Sequence, residues 1–143
     1  MDIRIKYFTN ITELDYIGGD KSDWIDLRCA ENTFIKKGET KLINLGVGMI
    51  LPKGYEARIA PRSSLEKNFG VMLTNSIGII DNMYSGDNDE WKAPLIATRD
   101  TFIAKNERIL QFRIHKKQPT INFITVNKLN DINRGGLGSS GKA

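Results

Sequence analysis

Arg108-Ile109-Leu110-Gln111-Phe112-Arg113-Ile114-His115 is the stretch on which the fold turns. Ile109, Gln111 and Arg113 alternate with Leu110, Phe112 and Ile114, the period of two expected of a strand with one face buried. Working outward, short apolar runs of the same kind recur at 3–8, 24–28, 40–45, 47–51, 55–60, 71–74, 78–80, 94–98 and 120–128. Turn-forming residues separate them: Lys37-Gly38, Pro52-Lys53-Gly54, Ser85-Gly86-Asp87-Asn88 and Lys105-Asn106. Many short strands so spaced predict an all-β sandwich, jelly roll or barrel. One helical turn is predicted at 63–68, with Ser63 as N-cap and Glu66 three residues on.

A chain of 143 residues fits one domain, and roughly two-thirds of its surface can be buried without staples. There is a single cysteine, so no intrachain disulfide forms. Cys29 lies in a strand-like run and reads as a small core residue. The sole histidine, His115, is distant in sequence, which argues against a Cys–His nucleophile. No signal peptide and no apolar run of membrane-spanning length is visible, so a cytoplasmic protein is expected. The net charge of +4 permits nucleotide or nucleic-acid partners without choosing between them. A nucleic-acid barrel would want aromatics interleaved with basic residues on one face. The 120–128 run offers only Phe123 and Lys128, and no direct nucleic-acid binding is expected.

Five segments carry residue types suited to a nucleoside triphosphate. In Trp24-Ile25-Asp26-Leu27-Arg28 a carboxylate interrupts an apolar strand. That is costly unless it is paired, exposed or near a cation such as Mg²⁺. Pro61-Arg62-Ser63-Ser64-Leu65 is a turn into a helix start, where free N–H groups, hydroxyls and an arginine bind phosphate or merely cap a turn. Thr74–Gly86 is read as a hairpin with Asp81 at its mouth and Tyr84 three residues on. Asp81 can take a proton from an attacking water. The ring of Tyr84 can pack on a deoxyribose and exclude a 2′-hydroxyl. Unpaired hairpin backbone can read a pyrimidine edge. Glu107-Arg108-Ile109-Leu110-Gln111 is the fourth segment. Arg108 and Gln111, three apart, face opposite ways in a strand unless a bulge intervenes. The fifth, Arg134-Gly135-Gly136-Leu137-Gly138-Ser139-Ser140-Gly141, can close round phosphates, although composition alone describes a floppy tail.

The order and spacing of these five segments resemble the five motifs of the trimeric dUTPase family, from Trp24 to Gly141. Motifs two and three, at 61–65 and 78–86, are the most specific. The chain looks like the short dUTPases of Gram-positive bacteria and their phages. The resemblance implies a distorted jelly-roll homotrimer that hydrolyses dUTP to dUMP and pyrophosphate with Mg²⁺, keeping uracil out of DNA and supplying dUMP. Three sites would lie at subunit interfaces. Residues 1–132 would form the core, and 133–143 an exchanged C-terminal arm that acts as a lid.

By resemblance, Asp81 positions the attacking water, Gln111 helps hold it, and Asp26 holds the metal through water. Arg62, Ser63 and Ser64 form the phosphate turn, and Arg108 stabilises developing charge. Asn75, Gly78, Ile79 and Ile80 read uracil, and Tyr84 stacks on the sugar. Arg134, Ser139, Ser140 and Gly141 cover the γ-phosphate. The family's usual tail has two more residues before a uracil-capping phenylalanine. Leu137 stands in that place here, and Trp91 is either a substitute aromatic or a core residue. The related dCTP deaminase reaction is disfavoured by Gly78-Ile79-Ile80-Asp81 and by the Gly-Ser tail. A regulatory protein partner is an added role found among phage members.

Overall fold

The computed structural model describes residues 1–136. Within them lie eleven strands and one short helix. In chain order these are β1 (Arg4–Tyr7), β2 (Ile25–Arg28), β3 (Thr33–Ile35), β4 (Thr40–Asn44), β5 (Val47–Ile50), β6 (Tyr55–Pro61), α1 (Leu65–Phe69), β7 (Val71–Leu73), β8 (Gly78–Ile80), β9 (Lys92–Ala97), β10 (Thr101–Ile103) and β11 (Arg108–Lys116). All the strand pairings are antiparallel, and most join strands far apart in sequence. The largest sheet runs β2-β11-β6-β8; a second runs β4-β9-β7, and β1-β5 and β10-β3 are two-stranded.

The expected all-β architecture is therefore present. Each turn signal closes as a β-turn, with hydrogen bonds from Glu39 N to Lys36 O, Tyr55 N to Pro52 O, Asp89 N to Gly86 O and Glu107 N to Ala104 O. One apolar core joins the sheets, with Leu27, Ile35, Leu45, Ile59, Leu95 and Leu110 fully enclosed. Removing such side chains from water supplies the main driving force for the fold.

Cys29 is part of this core and is fully buried, with its Sγ 3.7 Å from Thr33 Oγ1. Burial pushes its thiol above the ordinary range, so it is a core residue and not a nucleophile. Trp91 is also fully enclosed, edge-on to Phe112 at 5.1 Å between ring centres. Of its two readings, the core one holds, and Trp91 cannot serve as an aromatic lid.

Four expectations about elements need correction. The 74–86 segment is not a hairpin: β7 pairs with β9 and β8 with β6, so the turn between them passes from one sheet to another. The run 120–128 forms no strand; it is irregular and exposed, with Phe123 92% accessible, because no described strand pairs with it. Conversely, β3 and β10 pair with each other although neither was expected. They are three residues long, too short for alternation to register. The helix starts later than expected, with Ser64 as N-cap and no side-chain cap. Glu66 turns instead to Thr98, accepting from its Oγ1 at 3.0 Å, so no capping box forms. Gly70 ends the helix in the left-handed region, with φ near 60°.

Candidate active site

β11 is bulged against β2. Arg108 pairs with Arg28, but Leu110 pairs with Leu27, which leaves Ile109 as the extra residue. Ile109 and Leu110 are both fully buried, so Ile109 does not share the face of Gln111 as plain alternation required. The bulge resets the pleat and turns Arg108 and Gln111 towards one face. The condition set by their spacing is met.

That face carries a polar cluster. Asp26 on β2 lies opposite Gln111 on β11, and Gln111 lies opposite Ala60 on β6. β6 then runs out through Pro61 into the Arg62–Ser64 turn. Asp26 Oδ1 is 3.0 Å from Arg62 Nε, and its Oδ2 is 3.4 Å from Arg108 Nη1. Arg62 Nη1 donates to Arg108 O at 3.4 Å, and Gln111 Nε2 donates to Pro61 O at 3.1 Å. The carboxylate that was costly in an apolar strand is thus only half-buried and sits between two guanidinium groups. Beside the cluster, a cleft is lined by Arg62, Ser63, Leu65, Leu73 and Ser76. Ser63 is exposed and Ser64 half-buried, so the turn's hydroxyls and arginine border open space.

Asn75 sits in the turn between β7 and β8, where Ile77 N donates to Asn75 O at 2.6 Å. Gly78 opens β8 opposite Ile59. A Cβ at Gly78 would lie 3.3 Å from Ile59 Cβ, so the strands approach most closely with glycine here. Ile79 is exposed, and Ile80 is half-buried opposite Ala57.

Asp81 follows immediately and is a turn former. Met83 N donates to its Oδ1 at 2.8 Å, and Tyr84 N donates to its carbonyl at 3.0 Å. Its other oxygen, Oδ2, lies 3.1 Å from Lys117 Nζ. The Met83 amide, then Lys117, holds the carboxyl below its ordinary value. The Tyr84 hydroxyl donates to Glu90 O at 2.8 Å, which ties the ring to the segment before β9, and burial foremost raises its phenol.

These two groups do not meet within one chain. Gln111 lies opposite Ala60, whereas Ile80 lies opposite Ala57 and Asp81 comes one residue later. Asp81 is therefore about four residues along β6 from the Gln111 level, roughly 13 Å, and two strands across. One water cannot touch both. Arg134 is exposed in the C-terminal segment, while Leu137, Ser139, Ser140 and Gly141 lie outside the described residues.

Lys117 is the contact that sequence reasoning missed. One of two adjacent lysines at a strand end reads as a solvated charge, and no signal in the sequence singles it out.

The described residues contain no group of three or more His, Cys, Asp or Glu side chains that could cage a metal. That donor set still fits Mg²⁺, which keeps several waters and is commonly held by one or two carboxylates together with substrate phosphates. Asp26 is the carboxylate so placed. Among the described residues, no helix is long and apolar enough to cross a membrane.

The protomer is thus all-β and antiparallel, with an arginine–serine turn beside a half-buried carboxylate and with Asp81 and Tyr84 in a separate turn after β8. The dUTPase family model matches residues 21–141. The chain is 54% identical over 141 residues to the SPbeta prophage-derived deoxyuridine 5′-triphosphate nucleotidohydrolase of Bacillus subtilis, covering 99% of each. It superposes on the dUTPase of Streptococcus mutans with a TM-score of 0.72 and 23% identity, over 82% of this chain and 98% of that one. A dUTPase of phage phi11 of S. aureus, described as coordinating a structural Mg(II) ion, gives 0.75 and 13% over 90% and 98%. This chain belongs to the dUTPase family, and it is an enzyme, a dUTP nucleotidohydrolase.

Proposed function

We propose that hydrolysis to dUMP and pyrophosphate proceeds at sites shared between copies of the chain in a homotrimer. The observation that carries this is the separation of Asp81 from the Asp26–Arg62–Arg108–Gln111 cluster. A water oriented by both Asp81 and Gln111 requires Asp81 from one copy and Gln111 from another. The lid would come from residues 133–143, outside the core of residues 1–132.

Asp81 orients the water and accepts its proton as oxygen attacks the α-phosphorus. The bond to the bridging oxygen breaks, and pyrophosphate leaves in line. Gln111 holds the same water. Arg62, Ser63, Ser64 and Arg108 donate to the phosphate oxygens, where charge grows as the bond breaks. Asn75 and the backbone of Gly78, Ile79 and Ile80 read the uracil edge, and Tyr84 lies against the deoxyribose. Arg134, with Ser139, Ser140 and Gly141, covers the γ-phosphate and excludes bulk water.

Asp26 would hold Mg²⁺ through water, with the phosphates supplying the remaining ligands. When bound, the ion fixes one triphosphate geometry and neutralises charge. Asp26 also holds Arg62 and Arg108 beside the phosphate turn, so the cationic donors are ordered before substrate arrives.

The test is to incubate the protein and Mg²⁺ separately with dUTP, UTP, dTTP and dCTP, and to measure nucleoside monophosphate, pyrophosphate and ammonia. Pyrophosphate and dUMP from dUTP, in strong preference to the others, is the expected result. Ammonia from dCTP, or equal turnover of all four nucleotides, would overturn the reading.

A further inference from the structure

Asp81 has two carboxylate oxygens, and neither is idle. Oδ1 is committed to the turn after β8 through the Met83 amide, at 2.8 Å. Oδ2, the oxygen left for chemistry, lies 3.1 Å from Lys117 Nζ, and the same ammonium bonds Asn82 Oδ1 on the neighbouring residue. Lys117 is itself fixed. It stands one residue past β11, and its backbone N–H donates to Gly54 O at 2.8 Å. Its side chain is one-third exposed and that of Asp81 more than half exposed, so the contact lies at the surface and its value is in geometry. Lys117 also marks the point at which the chain leaves the sheet for the exposed C-terminal segment.

The geometry points to Lys117 as a positioning residue for the reaction, gripping Asp81 Oδ2 and Asn82 Oδ1 so that the carboxylate is aimed. This rests on the assignment of Asp81 as the group that receives the water's proton.

A carboxylate held only through Oδ1 would be free to turn about its own χ2. The second contact fixes the plane of the group, and a water must be aligned within a few tenths of an ångström to attack in line. An ammonium donates three hydrogen bonds, so Lys117 can hold Asn82 and Asp81 together. A carboxylate oxygen has two acceptor sites, so Oδ2 can accept from Lys117 and from the attacking water at once. The charges beside Asp81 leave this role to Lys117. On β6 the neighbouring groups are Glu56 and Arg58, which pair with each other at 3.5 Å. Next to Lys117 on β11, Lys116 is exposed. The side-chain shift of Asp81 has the same direction, with Lys117 second only to the Met83 amide as its cause.

The test uses the full chain carrying Lys117→Met or Lys117→Arg, with two readouts. One is the pH profile of kcat and kcat/KM for dUTP. The other is the ¹³C carboxyl titration of Asp81, assigned by its loss in Asp81→Asn and followed without substrate. In Lys117→Met the Asp81 titration and the acid limb of kcat/KM should both move to higher pH. kcat should fall about 10- to 100-fold with KM little changed. Lys117→Arg, which keeps the charge, should restore most of each. An Asp81 titration that does not move in Lys117→Met overturns the grip itself, whatever the activity. A titration that moves while the kinetic limb stays put overturns the catalytic role. It would trace the fault to the assignment of Asp81 as proton acceptor, because the contact would have been demonstrated.

Discussion

Asp26 faces Gln111 across the β2–β11 ladder, and its carboxylate lies between Arg62 Nε at 3.0 Å and Arg108 Nη1 at 3.4 Å. One residue thus joins three segments that are far apart in sequence. Both pairs are partly exposed, so their contribution to stability is small, within about 1 kcal/mol. Asp26→Asn should therefore leave the melting temperature almost unchanged. Its effect should fall on catalysis, with more Mg²⁺ needed for half-maximal rate. A magnesium titration of initial rates checks this, and an unaltered midpoint would remove Asp26 from the metal site.

Asp81→Asn should abolish turnover, by about 10²- to 10⁴-fold, while nucleotide binding largely persists. Asparagine can still accept from the Met83 amide, so the turn survives. In the wild type the carboxyl is held below its ordinary value. A base must be deprotonated to work, so the acid limb of kcat/KM should lie below the ordinary aspartate range. Near-native turnover in the variant, measured by pyrophosphate release, would sink the assignment.

Tyr84 offers a pair of variants. Its hydroxyl is occupied by Glu90 O, 2.8 Å away, so selectivity is assigned to the ring. Tyr84→Phe should keep the preference for dUTP over UTP, and Tyr84→Ala should relax it. The ratio of kcat/KM for the two nucleotides is the measurement. An unchanged ratio in Tyr84→Ala would make the ring merely structural.

Much of the fold was legible because alternation and turn residues act locally. β6 and β8 begin where the apolar pattern begins, and Pro52-Lys53-Gly54 closes as its composition demands. What could not be read depends on pairing partners. The Ile109 bulge arises between β11 and β2, yet it decides that Arg108 and Gln111 share a face. The 120–128 run has strand-like residues but no strand beside it. The site was legible as residue types, since Asp26, Arg62 and Gln111 do converge. The grip of Lys117 on Asp81 was not, because nothing local marks which lysine meets which carboxylate across 36 residues.

Trp91 tests the core. It is fully buried against Phe112, so Trp91→Ala should cost about 3–5 kcal/mol through lost burial and a cavity. Thermal or urea unfolding would report it. A stable variant with only a raised KM for dUTP would instead return Trp91 to the nucleotide site.

Deleting residues 134–143 should leave a folded protein that hydrolyses dUTP poorly. Arg134 is exposed, and the sequence of this segment has one large apolar residue, Leu137, so its loss removes little buried surface. Its glycines, serines and arginine suit phosphate contacts instead. The sharper experiment mixes this truncation with full-length Asp81→Asn after subunit exchange. Neither parent should turn over dUTP efficiently. If the arm serves a site whose Asp81 belongs to another copy, some mixed assemblies combine an intact Asp81 with an intact arm. Activity should then appear in the mixture that neither parent has. The size of the recovery should follow the statistics of mixing, rising to a maximum at intermediate ratios. Proven exchange without recovery would mean that each chain's arm closes over its own Asp81, or that the arm takes no part in the reaction. Either outcome would contradict an arm that serves another copy's Asp81.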